Sequence, residues 1–347
     1  MEKGPDFRIV GGASPEAKEQ ARKKLKHKLF NHLESLPDDA KDRMRKYEYP
    51  KDEKELAVIG FINRENNVLM EKYGLEPYSV PVDNFHLISH DLYKEHVSDH
   101  GIARTFYFNQ GIVFDAAEFR ARPIKFGSTA YHELLHLKGH TALEVEETPK
   151  EEDEEQAVKR SLHRAGLSVH SSLKNDILMG MSHEHFRGLH EAVVSAQQKK
   201  FVNTMISLPM FSADKEWMES EKAKEVRRKI AEEKKISEDD IYWVDKDGKD
   251  YGRIFYPENR KVLAYVLGEI QKRFPEEFAS VDNVFDKFLE AQFTGRLLSL
   301  AKLVDGTFGK GSFRILGNME DNDTSPPLIL ENLMKNRAQF LKNKNKF

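Results

Sequence analysis

The segment Ser128–Lys138 carries apolar side chains on both of its helical faces and three ionisable residues in its middle. The apolar positions are Ala130, Leu134 and Leu137 on one face and Tyr131 and Leu135 on the other. A helix that is apolar all round has to be buried. We expect Ser128 to cap it and Gly139 to end it in a left-handed conformation. The fold must therefore enclose this helix together with its ionisable side chains.

Those ionisable residues are His132, Glu133 and His136, in the order H-E-x-x-H. Residues four apart lie one turn apart on the same helix face, so both imidazoles can reach one metal ion. Glu133 falls at the edge of that face, where it is placed to accept a proton from water rather than to bind the metal. The pattern predicts a zinc ion (Zn2+) held by His132 and His136, with Glu133 as general base. The alternative is a structural helix with polar histidines.

A zinc site of this kind needs a third protein ligand. In the metzincin version of the motif that ligand is a histidine at position 142, but this chain has Ala142. His140 continues the histidine stripe along the same helix, where tetrahedral geometry is poor, and we interpret it as a polar neighbour. A carboxylate from another part of the chain is then required.

Two stretches offer such a carboxylate. Glu154 and Glu155 lie within an acidic run without apolar neighbours. Glu191 instead lies inside an otherwise apolar helical segment, where a buried carboxylate needs a partner or a metal. We favour Glu191, 55 positions after His136; the alternative is a glutamate that favours the helix dipole.

These residues resemble the gluzincin zinc metallopeptidases. His190 and Glu191 are similar to the Leu-Asn-Glu-Ala helix of small gluzincins, with His190 in the Asn place. The resemblance implies an extended peptide or protein substrate beside an upstream edge strand, either Arg104–Phe108 or Ile112–Phe114. Three C-terminal segments are also similar to parts of uncharacterised bacterial minigluzincin-like proteins: Tyr256–Arg260, Ala291–Gly295 and Phe308–Arg314.

Gluzincins also present a Tyr or a His to the oxyanion of the reaction. No position in this chain matches that role by motif. The candidates by chemistry alone are Tyr251, Tyr256, His183 and His185.

Patterning predicts an α+β, zincin-like fold with a small, mostly antiparallel sheet packed on helices. Four regions are expected: an N-terminal helical region at 1–79, a catalytic core at 80–205, a helical region at 206–325 and a tail at 326–347 that is partly loose at its end. Helices are expected at 14–36 and 53–73, and a hairpin around Asn109–Gly111. Residues 1–12 are expected to be frayed, and Glu144–Glu155 to form a solvated loop. A polar helix near Lys215–Lys235 suggests an exposed arm or a partner contact, and Gly309–Ser312 a turn.

The 347 residues carry a formal charge of −3 and contain no cysteine, so any metal must be held by His, Asp or Glu. The near-neutral charge argues against nucleic acid as a partner, and no apolar run is long enough for a membrane span or a signal peptide. We expect a cytoplasmic zinc metallopeptidase. A catalytically silent zincin-fold module that binds a peptide or protein is the main alternative, and a metal-free helical interaction protein a weaker one. Oligomeric state and substrate preference do not follow from the sequence.

Overall fold

The structure is a computed structural model that describes residues 5, 7–36, 38–98, 101–147, 158–171 and 183–344. Its α-helices are α1 Pro15–Phe30, α2 His32–Ser35, α3 Asp38–Tyr47, α4 Glu53–Lys72, α5 His90–His96, α6 Ala116–Phe119, α7 Pro123–Lys138, α8 Arg187–Ile206, α9 Ser212–Glu219, α10 Glu221–Lys234, α11 Pro257–Arg273, α12 Val281–Thr294, α13 Leu297–Phe308, α14 Ser312–Gly317 and α15 Ser325–Lys344.

The strands are β1 Arg8–Val10, β2 Phe85–Ile88, β3 Ala103–Phe106, β4 Gly111–Asp115, β5 Thr141–Glu147, β6 Val158–Ala165, β7 Ser168–Ser171, β8 His183–His185, β9 Ile241–Val244 and β10 Tyr251–Arg253. Two compact units form from separated stretches of the chain. The first is built mainly from Lys23–Lys138 and Ala196–Phe255, and the second from Asp6–Arg22, Gly139–Ser195 and Tyr256–Phe347.

The first unit contains a three-stranded sheet in the order β2-β4-β3. β2 runs parallel to β4, and β3 pairs antiparallel with β4 across the expected hairpin. Helix α4 begins at a capping box formed by Asp52 and Glu55. It ends before Gly74, whose φ is +71°, and this end agrees with the prediction. Phe114 of β4 meets Phe126 of α7 at 5.1 Å between ring centroids, which holds one face of the sheet against that helix.

Helix α7 is longer than the sequence analysis predicted. It begins at Pro123, a residue suited to the first helical position, so the expected cap at Ser128 is wrong. Gly139 does not have a positive φ, so the expected left-handed end is wrong as well. The predicted burial is confirmed, because the apolar side chains of both faces are enclosed. Tyr131, for example, stacks on Phe201 of α8 at 3.7 Å between ring centroids.

The polar segment near Lys215–Lys235 is not an exposed arm. It is divided at Ser220, whose side chain caps α10 by accepting from the Ala223 backbone N–H. Ala223, Ile230 and Ala231 are buried and belong to one apolar cluster with Ile241 and Val244 of β9. The few apolar positions of this helix pair are enough to anchor it within the first unit.

The second unit contains a five-stranded sheet in the order β1-β5-β6-β7-β8. β1 pairs in parallel with β5, so the expectation that residues 1–12 are frayed is wrong for Arg8–Val10. β5 includes the first part of the acidic stretch and pairs with β6, so Glu144–Glu147 form a strand rather than a loop. Glu146 accepts from the Gly12 backbone N–H at 2.8 Å. The rest of that stretch lies outside the described residues.

Five helices complete the second unit, α11 to α15. A capping box of Ser280 and Asn283 begins α12, and Gly295, at φ +73°, ends it. Gly309 and Gly311 have positive φ between α13 and α14, which confirms the turn predicted there. The tail is helical as far as Lys344, because α15 covers Ser325–Lys344 with Ile329 and Leu333 buried. Its last residues, where looseness was expected, lie outside the described residues.

The α+β class is confirmed, with small mixed sheets. Among the described strands, five pairings are antiparallel and two are parallel. The division into four regions along the chain stays a prediction. Across the described ranges, no helix has the length and apolarity required to cross a membrane.

Candidate metal centre

Helix α7 presents two imidazoles from adjacent turns. The Nε2 atoms of His132 and His136 lie 3.0 Å apart, and both rings are buried, at 9% and 6% exposure. The four-residue spacing places the rings on one face, and the enclosure of α7 removes them from bulk water. The convergence expected from the H-E-x-x-H pattern is therefore present.

Gln198 of α8 determines which ring nitrogen of His132 carries the hydrogen. Gln198 Nε2 donates to the Ser128 hydroxyl at 2.9 Å and to the Ser128 carbonyl at 3.1 Å, which orients the amide. Gln198 Oε1 then accepts from His132 Nδ1 at 3.1 Å. With the hydrogen held on Nδ1, the lone pair of Nε2 points toward His136 and is available to a metal.

The third member of the group is Glu191. Among the described residues, a single cluster of three or more possible metal ligands occurs, consisting of His132, His136 and Glu191, with one ligand atom from each within 4.8 Å of the others. Two neutral imidazoles and one carboxylate match the ligand set of a catalytic zinc site, which leaves a fourth position open. The side-chain chemistry therefore fits zinc.

Glu133 is held by a strand of the first unit. The Thr105 hydroxyl lies 2.8 Å from Glu133 Oε2 and 3.0 Å from the Glu133 carbonyl oxygen, so its single hydrogen can be donated to either. Glu133 itself is only half-buried, unlike the two histidines beside it. Its carboxylate is thus oriented and still reachable by water.

Arg187, one helical turn before Glu191, forms an ion pair with Asp321. Arg187 Nη2 contacts Asp321 Oδ2 at 2.8 Å. Partial burial lowers the pKa of Arg187, but attraction to the carboxylates of Asp321, Glu184 and Glu191 outweighs it and raises the pKa above its ordinary value. The pKa of Asp321 is also raised, first by burial and then by the neighbouring carboxylates. Glu191 is therefore part of a concentrated set of charges.

The two remaining histidines of interest, His140 and His190, are associated with Gln292 of α12 rather than with the metal group. The Gln292 amide is oriented by Leu167, whose N–H donates to Oε1 at 3.2 Å, so Nε2 donates to His190 Nε2 at 2.8 Å. The Gln292 carbonyl accepts from the His140 backbone N–H at 2.9 Å. His140 is outside the three-residue group, as expected.

The oxyanion candidates differ in their surroundings. Tyr251 of β10 packs against the apolar cluster of the first unit, and His185 of β8 is exposed, with His183 two residues before it in the same strand. Tyr256 precedes α11 with a φ of +58° and interacts electrostatically with Arg187, as Glu191 does. Tyr256 therefore shares a partner, Arg187, with Glu191 of the metal group.

The alternative carboxylates Glu154 and Glu155 lie outside the described residues. Of the two strands expected to flank a substrate, β3 lies at the edge of its sheet and β4 lies in the centre. β3 therefore has one backbone edge available for a further strand, and β4 does not.

Sequence reasoning missed Thr105 and Gln198. Gln198 follows Glu191 by seven positions, which is two helical turns and the same face, so its spacing was a usable signal. Thr105 carried no comparable signal, because its contact with Glu133 depends on how β3 packs on α7.

Comparison with protein-family models, curated proteins and solved structures finds no match for this chain. The likeness to gluzincins therefore rests on the motif and on the geometry of the three-residue group.

Proposed function

We propose that this protein is a zinc-dependent peptide hydrolase of the gluzincin type. The observation that carries the proposal is the convergence of His132, His136 and Glu191, which places two imidazoles and a carboxylate within reach of one ion. Zinc bound there would supply Lewis-acid polarisation of a peptide carbonyl and lower the pKa of a water molecule. The substrate class, the metal and the reaction belong to the proposal together.

Three side chains have separate roles in the proposed reaction. Glu133 accepts a proton from the attacking water and passes it to the leaving amine, as its place beside His132 allows. Thr105 holds the Glu133 carboxylate through its hydroxyl. Gln198 keeps the His132 hydrogen on Nδ1, so that the other nitrogen remains a ligand.

An extended peptide can lie beside β3. This strand is at the edge of its sheet, and its residue Thr105 contacts the proposed general base. A peptide added to that edge gains main-chain hydrogen bonds, and its scissile bond comes close to Glu133. A peptide or protein substrate is therefore preferred over a small molecule.

The test combines metal analysis with a peptide-library cleavage assay, using protein purified without a histidine tag. We expect about one zinc per chain, and cleavage that chelation abolishes and zinc restores. Glu133→Gln should lower kcat by about 10²–10⁴-fold while zinc content stays unchanged. His132→Ala should lose the metal as well as the activity.

Glu118→Gln is a matched control. Glu118 is a half-exposed glutamate of the same unit that pairs with Lys125 and lies outside the metal group, so this variant should keep full activity. Full activity in Glu133→Gln would refute the mechanism. Stoichiometric zinc without turnover on any library would instead support a silent module that binds a peptide or protein.

A further inference from the structure

A cavity separate from the metal group lies on the face of the three-stranded sheet that is turned away from α7. Side chains alternate along strands, so Thr105 contacts α7 while its neighbour Phe106 points to the other face. His86 and Ile88 of β2 and Val113 of β4 share that other face. Together with residues of α2, α3 and α5 they enclose about 350 Å³, within the range of small-molecule sites.

The walls of this cavity are apolar. They are formed by Leu36, Ile88, Leu92, Val97, Phe106 and Val113. Such walls favour an aliphatic or aromatic body, because each buried methylene is removed from water.

The base of the cavity is a histidine pair. His86 Nε2 and His32 Nε2 lie 2.8 Å apart, and His86 Nδ1 lies 3.2 Å from Glu48 Oε2. Both rings are 4% exposed. Gly111 makes room for them, since a Cβ at this position would lie 2.9 Å from His32 Cε1.

The charge state of the base follows from its surroundings. Burial first, and then His86, lowers the pKa of His32 to about 4, so this ring is neutral at pH 7. Burial raises the pKa of Glu48, but the contacts with His86 and Lys51 outweigh it and lower the pKa overall. The Glu48 carboxylate therefore accepts from His86 Nδ1. The base therefore presents two flat rings, of which the His32 ring is uncharged at pH 7.

The mouth of the cavity carries one guanidinium group and one imidazole ring. Arg43 and His96 line it with side chains that are 54% and 47% exposed. Arg43 pairs with Asp39 one turn earlier, and His96 Nε2 lies 3.4 Å from Glu95 Oε1. Exposed pairs of this kind are weak, so Arg43 and His96 can also contact a ligand. None of the described residues that line the cavity is acidic.

From these features we propose that the cavity binds a small monocarboxylate with one apolar chain or ring. Its body lies between the apolar walls with its end on the His32 and His86 rings, and its carboxylate lies at the mouth beside Arg43 and His96. This site is independent of the His132 group and of the proposed hydrolase activity.

Octanoate is the probe for a calorimetric titration, with octan-1-ol and octylammonium as neutral and cationic analogues. We expect saturable binding of octanoate with a dissociation constant below about 1 mM. Octan-1-ol should bind several-fold more weakly, and octylammonium should bind weakest of the three because the Arg43 guanidinium at the mouth repels it. Equal affinity for octanoate and octylammonium, or no saturable binding of octanoate, would overturn the proposal.

Substitutions of residues that line the cavity test whether octanoate binds there. Val113→Trp fills the cavity from β4 and Leu92→Trp fills it from α5, and each should weaken octanoate binding at least about tenfold. The second variant keeps the test decisive if the first unfolds. Arg43→Gln should weaken binding several-fold, whereas Lys24→Gln, which removes an exposed lysine of α1, should not.

Zinc can itself attract a carboxylate, so the titration is repeated with His132→Ala. Undiminished octanoate binding in His132→Ala supports the separate cavity. Loss of binding there, with full binding in Val113→Trp and Leu92→Trp, would place the ligand at the metal group and overturn the proposal.

Discussion

The hydroxyl of Thr105 lies 2.8 Å from Oε2 of Glu133, and so the edge strand orients the carboxylate that we assign as general base. Through this contact the strand proposed to bind the substrate also positions the group proposed to take the proton. Four predictions follow from the metal group and from the pair of His32 and His86 at the base of the cavity.

Thr105→Val removes the hydroxyl and keeps the shape of the side chain. We expect kcat to fall about tenfold, the cost of one hydrogen bond to a charged group, with zinc content unchanged. Thr105→Ser retains the hydroxyl and should recover most of the loss. Steady-state kinetics with metal analysis checks this, and a parallel loss of zinc would contradict a role confined to Glu133.

Gln198→Leu removes the acceptor of the His132 Nδ1 hydrogen. We expect zinc affinity to fall about 10–100-fold, as is usual when the partner that orients a histidine ligand is lost. Competition with a chromophoric chelator measures the change. Gln197→Leu is the matched control, because Gln197 donates to the Tyr131 hydroxyl and not to a histidine. Equal affinities in the two variants would show that Gln198 does not orient the ligand.

Glu191→Gln tests the third ligand. A neutral amide in place of the carboxylate leaves two imidazoles, and we expect zinc affinity to fall at least about 100-fold. Glu331→Gln, an exposed glutamate of α15, should leave the affinity unchanged.

The same measurement decides between Glu191 and the acidic stretch. A double variant, Glu154→Gln with Glu155→Gln, should keep its zinc. If the double variant lost zinc and Glu191→Gln kept it, the ligand assignment would have to move to the acidic stretch.

Because the buried His32 ring has a lowered pKa, we expect the folded protein to lose stability as the pH falls. Its pKa is lowered from 6.5 to about 4 in the folded chain, mainly by burial and then by His86, while Glu48 and the backbone at Asn109 and Lys28 act in the opposite sense. The unfolded chain therefore takes up a proton first as the pH falls. Stability from this residue is complete above pH 6.5 and is lost between there and pH 4, by at most about 3 kcal/mol.

Urea unfolding between pH 7.5 and 4.5, with chelator present throughout, measures that loss. The slope of stability against pH should be smaller in His32→Gln than in the natural chain. His27→Gln, at an exposed position of α1, should keep the natural slope. An unchanged slope in His32→Gln would remove the assigned cause.

Local periodicity accounts for what could be predicted of the site. The convergence of His132 and His136 follows from 3.6 residues per turn, and the apolar positions on both faces of α7 required its burial. Glu191 could be favoured because it is a carboxylate inside an apolar helical stretch. Gly74 marked the end of α4, and Gly309 and Gly311 marked the turn before α14, for the same reason, since each glycine acts on its own backbone.

Local sequence patterns did not predict the secondary structure correctly where segments distant in sequence pack against each other. Glu144–Glu147 look like a solvated loop, yet pairing with β1 and β6 makes them a strand. The last helix continues to Lys344 because Ile329 and Leu333 are buried, which the Lys-rich composition of the tail concealed.

Taken by itself, the sequence determined the paired imidazoles, the helix that carries them and the α+β class, because these depend on side chains a few positions apart. Only the tertiary structure decided that Thr105 orients Glu133, that Gln198 sets the His132 hydrogen and that His32 meets His86. Those contacts join residues 28, 66 and 54 positions apart, and no local preference specifies them. They form only when the packing of the whole chain brings strands and helices together.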